Sequence, residues 1–302
     1  MATDTWFVIG LMLTVSVVWG VLALPRLRTR LPKIYLIARS WWFMLVALCL
    51  CYSIAKLENP SQYDQSYPYQ WLLIAFFILI GLRGGYELKR LWCLNGKAGL
   101  IRKLEARGLQ PITSTHEKHS ADISVPISTP VSASAHLNAL DVVFSTVFIL
   151  LIISLITLQQ LTWQREQYGV LLFVLFASQF NDIAQYLCGR LLGHKWFKRG
   201  LAPTISPNKS IEGAIFGSLC AAILASLLGV WLTSFSWWVC LLAAYSLAVS
   251  GIVGDLLESA FKRQHGVKDT GTMLAGHGGV LDRVDSLLIG VPVFTLLYWL
   301  FG

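Results

Sequence analysis

The chain has 302 residues, of which 55% are hydrophobic and only 13% charged, with mean hydropathy +0.61 and a formal charge of +8. Soluble domains carry roughly 25% charged residues, so the composition excludes an ordinary soluble domain and predicts an integral membrane protein. The basic excess fits the positive-inside bias of membrane proteins, and no nucleic acid is expected as a partner. Six cysteines (Cys49, Cys51, Cys93, Cys188, Cys220 and Cys240) show no CxxC spacing and sit within or beside apolar runs. That pattern predicts small buried hydrophobes rather than disulfides or zinc ligands.

In chain order, apolar runs that approach the ~20 residues of a bilayer span recur. They cover about Trp6 to Leu24, Ser40 to Ile54, Trp71 to Tyr86, Leu140 to Leu158, Tyr168 to Leu187, Ala214 to Leu232, Trp237 to Leu257 and Leu287 to Phe301. The first lacks an early basic region and a cleavage site, and is expected to be a retained helix rather than a signal peptide. The fold class expected is an all-α, polytopic helical bundle of about eight transmembrane helices, or nine with a short extra or re-entrant helix within Leu91 to Ile101. Residues 1–107 hold the first three helices and their basic loops. Residues 108–135 are rich in Ser, Thr and Pro and predict a flexible cytoplasmic linker; its His116 and His119 are not expected to bind metal. Residues 136–302 form the C-terminal membrane region.

Charge orients these runs. Arg26, Arg28, Arg30, Lys33 and Arg39 follow the first, and Lys89, Arg90, Lys97, Arg102, Lys103 and Arg107 follow the third. Arg190, Lys195, Lys198, Arg199 and Lys209 lie between the fifth and sixth, and Lys262, Arg263, Lys268 and Arg283 between the seventh and eighth. The alternate loops are almost free of basic residues. One topology satisfies every loop: eight helices, both termini on the non-cytoplasmic side, all basic loops in the cytoplasm.

The most polar stretch runs from Gly254 to Asp285, GDLLESAFKRQHGVKDTGTMLAGHGGVLDRVD. Asp255, Glu258, Ser259 and Lys262 share a helix face at i, i+3, i+4 and i+7, and Asp282 and Asp285 repeat the i, i+3 spacing. Carboxylates on either side of a glycine-rich turn with basic flanks suit a divalent metal holding a polyphosphate. Two further clusters fall on the same side. Asp182, Gln185, Tyr186, Gly189 and Arg190 form a stripe at the inner end of the fifth helix, where ionisable residues face protein or water. Asp182 there either pairs with a neighbouring base or serves a site. In the segment Ile205 to Gly213, Ser206 and Pro207 predict a helix start, whose free N–H groups beside Lys209 would bind an anion.

Ser259-x-x-Lys262-Arg263, Lys268-Asp269 and His277-Gly278-Gly279-x-x-Asp282-Arg283-x-Asp285 together resemble the signature of the phosphatidate cytidylyltransferases, the integral membrane CDP-diacylglycerol synthases. The Asp182 to Arg190 and Ile205 to Gly213 clusters, including Ser206, Lys209 and Glu212, resemble that family in order and spacing. The similarity runs from about Phe173 to the C-terminus. One departure is Ala275, where the family has proline in its Leu-Pro-Gly-His-Gly-Gly run; the long linker is another.

The resemblance implies that CTP and phosphatidic acid react to give CDP-diacylglycerol and pyrophosphate, in a cavity reached from the cytoplasm and from lipid of the inner leaflet. The phosphate monoester is already anionic, so the reaction asks for charge neutralisation and in-line positioning rather than a triad. Magnesium is the implied cofactor, with a second, monovalent cation left open, and a homodimer is the implied assembly. Asp255 and Asp282 match the acidic positions expected to hold the metal, with Asp285 and Asp269 as second choices. Asp269 has the alternative of orienting Lys268. Lys209, Lys262, Arg263, Lys268 and Arg283 would contact the phosphates, with Arg190, Ser259 and Asp182 lining the substrate site. Gly278 and Gly279 would bring backbone N–H groups close to phosphate, and His277 either donates to phosphate or holds the turn. Arg283 has the alternative of pairing with Asp282 or Asp285. A CTP-using lipid kinase, a transporter with intramembrane acids and a non-catalytic paralogue are the competing readings. A CDP-alcohol phosphotransferase would need a DGxxAR-type motif, which the sequence lacks.

Overall fold

The computed structural model describes residues 3–57, 67–106, 138–271 and 278–301. The linker expected at 108–135 and the expected roles of Ala275 and His277 lie outside these residues. Among them, seven helices are long and apolar enough to cross a membrane. These are α1 (Thr3–Ala23), α3 (Pro32–Ala55), α4 (Trp71–Ala106), α5 (Ala139–Gln164), α6 (Gly169–Leu192), α7 (Ile211–Leu232) and α8 (Trp237–Gln264). A shorter apolar helix, α10 (Leu287–Phe301), supplies the eighth expected run. The protein is a polytopic helical membrane protein, because only helices satisfy their own backbone in hydrocarbon.

Three local readings differ from the sequence expectation. The basic segment after the first run contains a short helix, α2 (Pro25–Arg30), opened by a proline at its first turn. The third run does not end at Tyr86, nor does a separate short helix follow it. Instead α4 continues without a break to Ala106, since Gly84 and Gly85 lower helix propensity without removing a backbone donor. The sixth helix does not begin at Ser206-Pro207. Residues Ser206–Ser210 are strand β2, paired antiparallel with β1 (Gly200–Ala202). The cap is Ser210, whose Oγ accepts the Gly213 N–H at 3.1 Å. Pro207, which has no N–H to donate, fits a two-stranded ribbon that leaves it an open edge.

The core is built on α6, the helix with the largest share of buried residues, which packs most extensively on α7. Buried Asn181 of α6 ties three helices: its Nδ2 donates to Ala248 O of α8 at 3.1 Å, and its Oδ1 accepts from Ser218 Oγ of α7 at 3.3 Å. α5 joins α8 through the stacked Phe144 and Phe261 rings, 4.3 Å between centroids, and through Gln264 Nε2 to Asp141 Oδ1 at 2.9 Å. α1 packs on α3, where Asp4 accepts from Tyr52 Oη at 2.6 Å and pairs with Lys56. The cysteines are free, and Cys49 and Cys240 are buried as expected, whereas Cys93 and Cys220 are exposed.

Between α8 and α10 lies a single turn of helix, α9 (Leu281–Val284). α8 approaches it so closely that a Cβ on Gly254 would press into the backbone carbonyl of Asp285. Gly254→Ala should therefore cost about 1–3 kcal/mol, read as a lowered midpoint in a detergent thermal melt followed by size-exclusion chromatography. Gly20→Ala, where a Cβ meets open space on α1, is the control and should leave the midpoint unchanged or higher. Equal midpoints for the two variants would show that the α8–α9 contact is not tight.

Candidate active site

The two upstream polar clusters meet in space. α6 contributes Asp182, Gln185, Tyr186, Gly189 and Arg190 to one wall of a cavity of about 510 Å³. The hairpin β1–β2 contributes Ser206, Asn208 and Lys209 to the other, and Asp255 of α8 closes it. Helical spacing puts the α6 residues on one stripe, as the sequence implied. The hairpin, rather than a helix start, carries Lys209 over the cavity, where its ammonium pairs with Asp255. Asp255 also accepts from Ser259 Oγ at 3.3 Å, one turn along α8.

Asp255 belongs to a second group. One carboxylate oxygen from each of Asp255, Glu258 and Asp285 lies within 4.8 Å of the others. Glu258 is fully buried, and its Oε1 has no hydrogen-bond partner among the described residues. Burial, and then the charges of Asp255 and Asp182, push the Asp285 carboxyl up to about 7. Crowded carboxylates with an unspent buried oxygen are what a hard divalent cation neutralises, so these residues fit such an ion.

Asp282 is organised differently. Its Oδ2 accepts from Thr270 N at 2.8 Å, Thr270 Oγ1 at 2.7 Å and Gly279 N at 2.8 Å. Its Oδ1 accepts from Lys262 Nζ at 2.9 Å, and that ammonium also reaches Glu258 Oε2 at 2.6 Å. Burial opposes the Asp282 charge, but the Lys262 ammonium and the Gly279 and Thr270 donors outweigh it and hold the carboxyl below its usual range. Gly278 adopts φ +78, a conformation that suits glycine, and a side chain there would collide with the Asp282 carboxylate.

Beneath this turn lies a residue that sequence reasoning gave no role. Glu87 of α4 is buried, with Oε1 accepting from Val280 N and Oε2 from Leu281 N, both at 3.1 Å. Thr270 Oγ1 is 3.3 Å from Glu87 Oε2, and Arg83 lies one turn earlier with Nε 3.5 Å from Oε1. A Cβ on Gly279 would strike both the Glu87 carboxylate and Thr270 Oγ1. A signal for Glu87 existed, since an acid inside an apolar helix is expensive unless it has a task. Glu258 likewise lay on the Asp255 face in the sequence. Thr270 carried no signal.

The remaining predicted residues are placed as follows. Gly279 is close to the site, and its N–H donates to Asp282 Oδ2. Ser259 is spent on Asp255. Glu212, expected among the substrate contacts, is fully buried, and its Oε1 accepts from Trp196 N at 2.9 Å and Phe197 N at 2.8 Å, holding the loop before β1. Arg263 is exposed, with Nε 3.3 Å from Ile205 O, and so braces the hairpin loop. Lys268 and Asp269 are exposed on the segment leading to the turn. Arg283 is half-buried and borders an apolar chamber separate from the polar cavity.

Comparison with known proteins identifies the chain's relatives. A protein of Escherichia coli K12 named uncharacterized protein YnbB is 43% identical over 125 residues, 41% of this chain and 41% of that protein. The phosphatidate cytidylyltransferase of Staphylococcus saprophyticus is 38% identical over 135 residues, 44% of this chain and 50% of that protein. The phosphatidate cytidylyltransferase of Helicobacter pylori strain 26695 is 43% identical over 131 residues, 43% of this chain and 46% of that protein. The chain thus spans half or less of the length of these relatives. The profile described as the cytidylyltransferase family matches residues 2–301, nearly the whole sequence, and the chain belongs to that family.

Proposed function

We propose that this protein transfers the cytidylyl group of CTP to phosphatidate, giving CDP-diacylglycerol and pyrophosphate. The observation that carries the reading is the junction of two features at Asp255: a cavity with cationic side chains, and a partly buried group of three carboxylates. The names of the staphylococcal and Helicobacter relatives support it. In the reaction a phosphatidate oxygen forms a bond to the α-phosphorus of CTP as the bond to the bridging oxygen breaks, and pyrophosphate carries the electron pair away. No proton need leave the nucleophile, so the site needs no general base.

The protein's own residues divide the work. Lys209 and Arg190 in the cavity neutralise triphosphate charge, which lets two anions approach. Asp255 and Asp285, with Glu258, are the residues that would hold magnesium, which when bound supplies charge neutralisation at the phosphates. Asp282 was expected as a metal ligand from the resemblance. Both its oxygens are occupied, so Asp285 takes the second ligand position and Asp282 fixes Lys262 and the glycine turn. Lys262 then presents its charge from a fixed position beside Glu258.

The assay is transfer of label from CTP to lipid by the purified protein in mixed micelles with phosphatidate and magnesium. Label at the α-phosphate should enter the organic phase, label at the γ-phosphate should not, and a chelator should stop the transfer. Asp285→Asn should lower turnover about 10²- to 10³-fold with an unchanged size-exclusion profile. Entry of γ-label into lipid would instead identify a CTP-dependent kinase, and no transfer by folded protein would remove the reading.

Glu87 acts in this scheme by positioning. Glu87→Gln keeps the volume but sets an amide donor against the Val280 or Leu281 N–H. A shift of the turn by about 1 Å can cost about 10²-fold in turnover, so kcat should fall with little change in the KM for CTP. Glu87→Ala and Gly279→Ala should be non-additive when combined, because each disturbs the same contact. Normal kcat for Glu87→Gln would reduce Glu87 to a packing residue.

The basic loops support a cytoplasmic position for the site, where CTP is found, with both termini opposite. A cysteine at Lys198 in a cysteine-free background should react with an impermeant maleimide only after cells are opened. Reaction in intact cells would reverse the orientation.

A further inference from the structure

A second cavity, of about 370 Å³, lies between α3, α4, α6 and α9. Its walls are apolar, with Leu48 of α3, Phe77 of α4 and Phe176 of α6 among them, and Phe43, more than half exposed, borders it at the outer surface of the bundle. Two long polar side chains interrupt the lining, Gln179 and Arg283, and Arg283 is the one charged residue among the described residues that line it. Arg283 is also adjacent in sequence to Asp282. Its Nε is buried with no hydrogen-bond partner among the described residues.

An arginine in an apolar cleft of a membrane bundle is costly unless an anion meets it. The cleft's exposed edge at Phe43 lies among helices whose surroundings are lipid tails, so the material available to fill it is lipid. A chamber of this volume is in the range of small-ligand sites, too small for a partner helix some 10–12 Å across. An apolar body with one anionic end matches both features.

We propose that this chamber holds an acyl chain of the phosphate-bearing lipid substrate, with Arg283 meeting the lipid phosphate at the chamber's polar end. The identity of that lipid rests on the cytidylyl-transfer reading above; the chamber itself rests on its lining and on Arg283. With the phosphate at Arg283, the reacting group lies at α9, two residues before Asp285 in the chain, while the acyl chain stays in hydrocarbon. The chamber walls then set which chain lengths are accepted.

The test uses the full chain in lipid nanodiscs with a phosphatidate carrying a mid-chain diazirine. Irradiation should place adducts on the segments around Trp41 to Leu48 and Phe76 to Ile80, and unlabelled long-chain phosphatidate should suppress them. Adducts spread over outward-facing residues such as Leu242, or suppressed equally by phosphatidylcholine, would mean bulk lipid only and would overturn the proposal. In turnover, Ala47→Phe, which fills the chamber, should raise the KM for a long-chain phosphatidate about 10-fold or more and leave dihexanoyl phosphatidate unaffected. An equal effect on both substrates, or none on either, would count against it. Photolabelling needs no turnover, so the two readings fail separately. Specific adducts without cytidylyl transfer would sink the reaction and keep the chamber. Transfer without those adducts would sink the chamber alone.

Discussion

The site depends on one carboxylate whose every contact is satisfied. Asp282 takes three donors on Oδ2, from Thr270 and Gly279, and the Lys262 ammonium on Oδ1. A buried charge without such partners would be prohibitive in a membrane bundle. With them it becomes a fixed point that joins the end of α8, the segment before the turn and the start of α9. Glu87 supports the same turn from below, capping the α9 N-terminus with an acid from a helix almost two hundred residues earlier in the chain. The two glycines follow from these acids. Gly278 and Gly279 are small because Asp282 and Glu87 occupy the space where their side chains would go.

That lattice lets neighbouring acids do opposite things. Asp282 is held ionised by donors that have already been provided. Asp255, Glu258 and Asp285 are brought together with fewer donors than their charges call for, and Asp285 is pushed up to about 7 by burial and by its acidic neighbours. Like charges kept close by packing form a place prepared for a cation. Lys262 stands at the border between the two groups, bonded to Glu258 on one side and Asp282 on the other.

Helix α6 walls both cavities. The polar one is bounded by the β1–β2 hairpin, α6 and Asp255 of α8, and the apolar one by α3, α4, α9 and another stretch of α6. Adjacent residues of α9 serve different surroundings: Asp282 the polar lattice, Arg283 the apolar chamber. Chemistry that joins a charged nucleotide to a lipid requires such a border, since neither reactant is stable in the other's solvent.

Much of this was legible in the sequence. The eight apolar runs, the polar stripe of α6 and the family signature follow from hydropathy, 3.6-residue spacing and residue type, which are local properties. The helix does not start at Ser206-Pro207 because Ser206 is held in the ribbon opposite Ala202, which leaves the cap to Ser210 at the ribbon's end. The roles within the acidic stretch were not legible. Spacing showed that Asp255, Glu258, Asp282 and Asp285 were available, but which of them have spare oxygens depends on donors from Thr270, Gly279 and Lys262. Glu87 shows the same limit, an acid in an apolar helix whose partners lie at Val280 and Leu281. By itself, the sequence determined a polytopic helical membrane protein of this family and the set of ionisable groups at its polar end. Only the tertiary structure decided which carboxylates are neutralised and which remain crowded, because that depends on hydrogen bonds between segments that local pattern cannot bring together.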